Sequence, residues 1–401
     1  MPLPANPLVG MFATYPFVEI EKQKRALIDK GVDVIDLSIG DPRELTPSFI
    51  VEAIRSHVPA RSSYPTTVGR PALRAAIAGW FHRRHGVTLD PDRHILPANG
   101  SKEAVFNIHL ALLDPASPRR RVLIPSPAYP VYERGAAFAG GVPTLLPLTR
   151  EHGYLPDLGA VPKAVWEETA LLWLNYPHNP TGATATQSYW EQVVDWCHKT
   201  DTVLLSDDCY IDIYDAAIDL QPLGEGGGLD HRPMCPLQLS SDRVLTFMSL
   251  SKRSGMTGYR AGFVAGDHDI IKAFLRARAN FGVGQPEFVQ KAAVVAWDDD
   301  EHVRERRKIF TSRIKAAAPV FQNLGMLSEV PKAAFYLWVK IPRAFGTGDV
   351  QFALGLAERG VICSPSSWLS ESIKGYARFA LVPDVEPTLA ALDIIKDYIN
   401  N

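Results

Sequence analysis

The run Val244-Leu245-Thr246-Phe247-Met248 passes directly into Ser249-Leu250-Ser251-Lys252-Arg253-Ser254-Gly255-Met256-Thr257-Gly258-Tyr259-Arg260-Ala261-Gly262. The first five residues have no polar face, as a strand covered on both sides of a parallel sheet requires. The remainder is rich in short hydroxyl residues and glycines, with one lysine and two arginines, one directly after the lysine and one eight positions after it. Arg121-Val122-Leu123-Ile124-Pro125, Leu171-Leu172-Trp173-Leu174 and Val203-Leu204-Leu205-Ser206 share the apolar character. Helical stretches lie among these runs, from Ser101 to Leu113 and from Gln187 to about Lys199. Alternating strands and helices argue an α/β fold with a mostly parallel sheet. In such folds ligands bind beyond the carboxyl ends of the strands.

The C-terminal third changes character. Val289 to about Phe321 reads as one long helix, rich in Ala, Arg, Glu and Lys. Ala334–Val339, Gly360–Cys363 and Tyr376–Leu381 then read as strands, which suggests a smaller α+β domain. Gly282-Val283-Gly284-Gln285-Pro286 is a breaker that puts the boundary near 285–290. Leu223 to Pro236, with Gly224-Glu225-Gly226-Gly227-Gly228, reads as a flexible excursion.

The chain has 401 residues, with 42 Lys+Arg against 44 Asp+Glu for a formal charge of −2; 46% are hydrophobic and 21% charged. That length suits two or three domains. A near-neutral balance gives no global electrostatic case for nucleic acid. No apolar run approaches the roughly 20 residues that span a bilayer. Met1-Pro2-Leu3-Pro4-Ala5-Asn6-Pro7 lacks the basic start and apolar core of a signal peptide, so the expected compartment is the cytoplasm. Cys197, Cys209, Cys235 and Cys363 are scattered and read as free thiols. No metal site is expected: His-Glu-x-x-His is absent, and His82 and His85, with Arg83 and Arg84 between them, read as a solvated helix end.

Four elements carry chemistry. Lys252 sits just past a strand among cations and hydroxyls, a setting that lowers a lysine's pKa and frees an amine able to condense with a carbonyl, or it is an ordinary surface lysine. Ser249, Ser251 and Arg260 are the donors a phosphate monoester takes. Asp207, ending the Val203 run, needs a cation such as a protonated pyridine nitrogen if it is buried, and Tyr210 could reach an oxygen on the same ring. Helix capping by Asp207 or Asp208 is the structural alternative. Asn175-Tyr176-Pro177-His178-Asn179-Pro180-Thr181-Gly182 makes a rigid loop whose Asn179 amide could donate to a phenolate, or simply a turn. Asn99-Gly100-Ser101-Lys102 opens a helix, and its free N–H groups make an anion site or only a helix start.

Taken in order, these elements resemble the fold-type I pyridoxal-phosphate aminotransferases of classes I and II, over nearly the whole chain. Tyr64-Pro65-Thr66-Thr67-Val68-Gly69-Arg70, Pro127-Ala128-Tyr129-Pro130-Val131-Tyr132 and Tyr376-Ala377-Arg378-Phe379 are similar to further segments of that family. The resemblance implies an aspartate aminotransferase-like fold: a seven-stranded, mostly parallel sheet in a large domain, residues 46–287. The N-terminal arm, 1–45, would join a small C-terminal domain, 288–401. It implies that Lys252 carries pyridoxal 5'-phosphate and moves a proton at substrate Cα. Asp207 would face the ring nitrogen, Tyr210 and Asn179 the ring's 3-oxygen, and Tyr129 the ring plane. Ser101, Lys102, Ser249, Ser251 and Arg260 would hold the phosphate, with Tyr64 arriving from a second chain, hence a homodimer. Arg378 and the Gly40 amide would hold the substrate α-carboxylate. Pro331-Lys332-Ala333-Ala334-Phe335 and Pro365-Ser366-Ser367-Trp368-Leu369 depart from the family's usual wording beside the substrate pocket.

Ser249–Ser254, Arg260–Asp267 and Ala293–Arg304 are most similar to succinyldiaminopimelate aminotransferases of lysine biosynthesis. The expected reaction therefore joins L-glutamate/2-oxoglutarate to N-succinyl-LL-2,6-diaminopimelate. Lys102 would read a distal carboxylate or stand as a solvated lysine. The alternatives are aspartate or LL-diaminopimelate transamination, and a carbon–sulfur lyase on the same scaffold. A cofactor-binding transcription regulator would need a DNA-binding segment ahead of Tyr64, where the arm and first helix are expected.

Overall fold

The computed structural model describes residues 6–11, 16–61, 63–220, 232–281, 284–370 and 372–400. A short first strand, β1 (Ile35–Asp36), precedes β2 (Ile95–Ala98), β3 (Arg121–Ser126), β4 (Val142–Pro147), β5 (Thr169–Leu174), β6 (Val203–Asp207), β7 (Val244–Ser249) and β8 (Gly262–Gly266). Among the described residues, β2 to β8 form one seven-stranded sheet in the order β2-β8-β7-β6-β5-β3-β4. β7, β6, β5, β3 and β4 are parallel, and β8 runs antiparallel to both β7 and β2. The apolar runs are the central strands, and alternate residues serve opposite faces. Leu172, Leu174, Leu204 and Met248 pack towards the helices Pro71–His85 and Glu287–Asp298. Leu171, Trp173, Leu205 and Phe247 pack towards Ser101–Leu112 and Val131–Phe138.

This topology decides where the polar loops go. β2, β3, β5, β6 and β7 share a direction, so the loops at their carboxyl ends emerge along one sheet edge. Gly100-Ser101, Pro127–Tyr129, Asn175–Gly182, Asp207–Tyr210 and Ser249–Lys252 therefore meet there.

The C-terminal third adds β9 (Tyr336–Lys340), β10 (Val361–Ile362), β11 (Ser364–Pro365) and β12 (Tyr376–Ala380). β11-β12-β9 is an antiparallel sheet, and β10 pairs in parallel with β1. Leu37, just past β1, is buried in one cluster with Ile314, Phe321, Leu337, Phe352, Phe379 and Ile395.

The long helix expected from Val289 to Phe321 is instead two, Glu287–Asp298 and Glu301–Asn323. Asp299 breaks it: its backbone is extended (φ −106°, ψ 126°), and from the position before the N-cap Asp300 its Oδ1 accepts the His302 N–H of the second helix's first turn at 3.0 Å. The solvated helix end expected at His82–His85 is half right. His82 and Arg83 are exposed, but Arg84 and His85 are buried, and burial lowers the His85 pKa to about 3. Leu223 to His231 of the glycine-rich excursion, and Gly282-Val283 of the breaker, lie outside the described residues.

Arg84 is buried because it meets Asp212. The Asp212 carboxylate accepts Arg84 Nε at 2.9 Å and Arg253 Nε at 2.9 Å, with Trp80 Nε1 at 3.3 Å. Arg253, wholly buried, also donates to the Ala296 carbonyl at 2.6 Å and to Asp300 at 2.6 Å, and lies over the Trp297 ring. Burial raises the Asp212 pKa, but the guanidiniums of Arg84, Arg253 and Arg307 outweigh it and hold the carboxyl below the usual carboxylate range. A depressed carboxyl pKa contributes stability above the unfolded value, lost as pH falls through the folded one. Asp212→Ala strands buried guanidiniums and is expected to cost about 3–5 kcal/mol. The check is the denaturant midpoint, which should drop; the variant should also respond less to acid below about pH 4 than the parent.

Candidate active site

The loops meet at a cleft of about 510 Å³. Gly40, Ser101, Lys102, Tyr129, Asn179, Asp207, Tyr210, Ser249, Ser251, Lys252, Arg260 and Arg378 all line it. Tyr64 does not line this chain's own cleft, and it is fully exposed.

Lys252 is set by the four-residue helix Leu250–Arg253, which Ser249 caps by accepting the Ser251 N–H at 3.1 Å. Its neighbour Arg253 is locked into the Asp212 cluster, so the lysine faces the cleft from a fixed base. Nζ donates to the Gly40 carbonyl. Burial lowers its pKa to about 8, opposed by Asp41 and Cys209 and reinforced by Arg260 and Arg378.

One end of the cleft is built for an anion. The helix Ser101–Leu112 presents its N-terminus there, with Gly100 in the left-handed region (φ 75°). Ser101, Ser249 and Ser251 supply hydroxyls, and Arg260 a guanidinium held by the Thr257 carbonyl at 2.9 Å and the Asn99 carbonyl at 3.3 Å. A Cβ at Gly100 would stand 2.3 Å from an Arg260 nitrogen, so glycine is needed both for the turn and for the arginine's seat.

Asp207 lies deeper in the cleft. Its side chain accepts the Tyr132 hydroxyl at 2.7 Å and the Cys209 N–H at 3.2 Å. Among the described residues it makes no ion pair, and burial raises its pKa. A buried carboxylate so placed favours a cation from outside the chain.

The third wall comes from the C-terminal third. Arg378 on β12 donates to Asn179 Oδ1 at 3.0 Å, to the Ser38 carbonyl at 2.6 Å and to Ser364 Oγ at 3.2 Å. Tyr210 Oη meets Tyr336 Oη at 2.7 Å. Tyr129 is half-buried, edge-on to Tyr132 with ring centroids 5.8 Å apart.

Sequence reading quoted Tyr132 and Asn175 inside motifs but gave no role to either, nor to Tyr336. Tyr132 belongs with Asp207. Asn175 donates to the Asp207 carbonyl at 2.5 Å and accepts the Asn179 N–H at 3.0 Å, joining the β5 and β6 loops. Only spacing from an already recognised neighbour, three after Tyr129 or four before Asn179, could have flagged the first two. Tyr336 carries no such signal.

The family model described as aminotransferase class I and II matches residues 32–389. The chain belongs to this family. Members of the family use pyridoxal phosphate, and the donor set fits it: an anion cradle, a buried carboxylate in want of a cation, and a partly neutral lysine at one cleft. The LL-diaminopimelate aminotransferase of Aquifex aeolicus is 35% identical over 388 residues, which cover 96% of each chain. A Thermus thermophilus structure described as a "probable N-succinyldiaminopimelate aminotransferase" is 32% identical with a TM-score of 0.85, covering 95% of this chain and 99% of that one. A mutant aspartate aminotransferase of Thermus thermophilus superposes with a TM-score of 0.88 at 25% identity, covering 98% of this chain and 99% of that one. The aspartate aminotransferase-like fold expected from sequence is therefore observed, and the chain is a pyridoxal-phosphate-dependent aminotransferase. The name of the Aquifex aeolicus relative matches the unsuccinylated alternative stated above, and that of the Thermus thermophilus structure the succinylated compound.

Lys252→Ala is expected to abolish transamination and the visible absorbance of the bound cofactor, read in one spectrum of the purified protein. With a pKa of about 8, the amine loses its proton well below the usual lysine range near 10.4. Cofactor uptake by apoenzyme should therefore speed up with pH and level off above about 8. A rise continuing to about 10.4 would contradict the buried setting.

Proposed function

We propose that this enzyme moves an amino group between L-glutamate/2-oxoglutarate and LL-diaminopimelate, in lysine biosynthesis. The observation that carries this is the end-to-end likeness to LL-diaminopimelate aminotransferases, and a cleft lined by both Arg378 and Lys102 suits a substrate with two carboxylates. Bound pyridoxal phosphate supplies an electron sink. Asp207 would keep the ring nitrogen protonated, and Tyr132 holds Asp207 in place. The backbone N–H groups of Ser101 and Lys102, with Ser249, Ser251 and Arg260, would hold the phosphate. Tyr129 would cover the ring plane, and Tyr210 and Asn179 would face its 3-oxygen. Arg378 pairs with the α-carboxylate in bidentate fashion, and the Gly40 amide closes over it. Lys252 anchors the cofactor and then holds or moves the proton at substrate Cα. Lys102 reads the distal carboxylate.

The same reading makes the working unit a homodimer, with the exposed Tyr64 reaching the partner's phosphate. It divides the chain into a large domain, 46–287, and a small one made of 1–45 with 288–401. The N-succinylated substrate is the second reading, favoured by the Thermus thermophilus likeness.

The test is a half-reaction screen of the holoenzyme, one amino acid at a time. Glutamate and LL-diaminopimelate should each discharge the visible band. Discharge by N-succinyl-LL-2,6-diaminopimelate but not LL-diaminopimelate would establish the second reading. Pyruvate release from cystathionine without discharge would make the protein a lyase. Lys102→Ala should raise KM for dicarboxylic substrates about ten- to a hundredfold, as one lost charged contact does, while leaving monocarboxylic amino acids little changed.

A further inference from the structure

Tyr336 opens β9 in the three-stranded sheet, whereas Tyr210 follows β6 of the main sheet. Their hydroxyls meet at 2.7 Å, with the rings edge to face at 69°. Both are buried, at 2% and 7% exposure. A phenol carries one proton, so in such a pair one oxygen donates and the other accepts, and the geometry allows either direction. We infer that Tyr336 is a positioning residue of the active site: by donating to Tyr210, its hydroxyl leaves Tyr210's single proton pointing into the cleft.

The inference rests on the proposed reading of Tyr210 as the partner of the cofactor's 3-oxygen. If Tyr210 gives its proton to that anionic oxygen, it has none for Tyr336, and Tyr336 must be the donor between them. A hydroxyl that accepts one hydrogen bond donates a stronger one. Burial raises the pKa of both phenols, so each keeps its proton near neutrality.

Two contacts hold Tyr336 in this role. The Arg378 guanidinium lies 4.8 Å from its ring centroid. A Cβ added at Gly40 would stand 1.9 Å from its hydroxyl oxygen, so glycine at 40 is the condition for the tyrosine to reach Tyr210. Gly40 thus serves the Tyr336 hydroxyl as well as presenting its own backbone. One side chain of the small sheet touches the residue proposed for the substrate carboxylate and the residue proposed for the ring oxygen.

The test is a pH titration of the visible absorbance of holoenzyme, which requires no turnover. A hydrogen bond donated to the ring oxygen favours its anionic form, so a weaker donor moves the midpoint to higher pH. Tyr336→Phe should raise the midpoint by about half a unit to one unit. Tyr210→Phe should raise it further, and the double variant should match Tyr210→Phe alone. Gly40→Ala, which displaces the Tyr336 hydroxyl without removing it, should shift the midpoint in the same direction. Tyr336→Phe titrating like the parent while Tyr210→Phe shifts would overturn the inference and leave the reading of Tyr210 standing. Additive shifts in the double variant, or a Tyr336→Phe effect confined to melting temperature, would overturn it too. No shift in either single variant would remove the reading of Tyr210 and the inference together.

Discussion

Asp212 is the constraint on which the position of Lys252 depends. It is a buried carboxylate between guanidiniums from two parts of the chain, Arg84 on the helix Pro71–His85 and Arg253 on the short helix of Lys252. Arg253 extends the link to Ala296 and Asp300, at the junction where the second long helix begins. A four-residue helix has too few internal hydrogen bonds to hold its own direction. Here one residue is pinned by buried charge, and its neighbour Lys252 is thereby pointed into the cleft. Charges removed from water keep such an arrangement only while every partner stays, so the cluster fixes geometry more than it adds stability.

The cleft is organised by a similar economy of charge. Its anion end is made of helix N–H groups, hydroxyls and one arginine, and its deep end of a carboxylate that burial would rather neutralise. A molecule with a phosphate at one side and a protonatable ring nitrogen at the other answers both. The third wall is carried by β9 and β12, so Arg378 and Tyr336 reach the site from a different sheet than Lys252 and Asp207. The two layers that line the cleft thus meet at Gly40, Asn179 and the Tyr210–Tyr336 contact.

Much of this was legible in the amino-acid order. The apolar runs at 121, 171, 203 and 244 are the strands they were expected to be, because an element buried on both faces cannot hide its composition. Their polar continuations carried Lys252, Asp207, Tyr210 and Asn179, because in a parallel sheet the chemistry follows strand ends. The single helix expected over 289–321 failed because Asp299 and Asp300 have ordinary helix-surface character until one accepts the His302 N–H and the other meets Arg253. His85 looked solvated beside two arginines because nothing local reveals that Arg84 turns inward to a carboxylate 128 positions away.

The sequence by itself determined the sheet, the loops that line the cleft, and the family, since each is written in contiguous residues with a period or motif. Tertiary structure alone decided which residues answer one another across the chain: Tyr132 with Asp207, Asn175 with the ends of two strands, Tyr336 with Tyr210 and Gly40. These pairings depend on strand order and on how two sheets face each other. A lone tyrosine on an apolar strand carries no local mark of the hydroxyl it will meet.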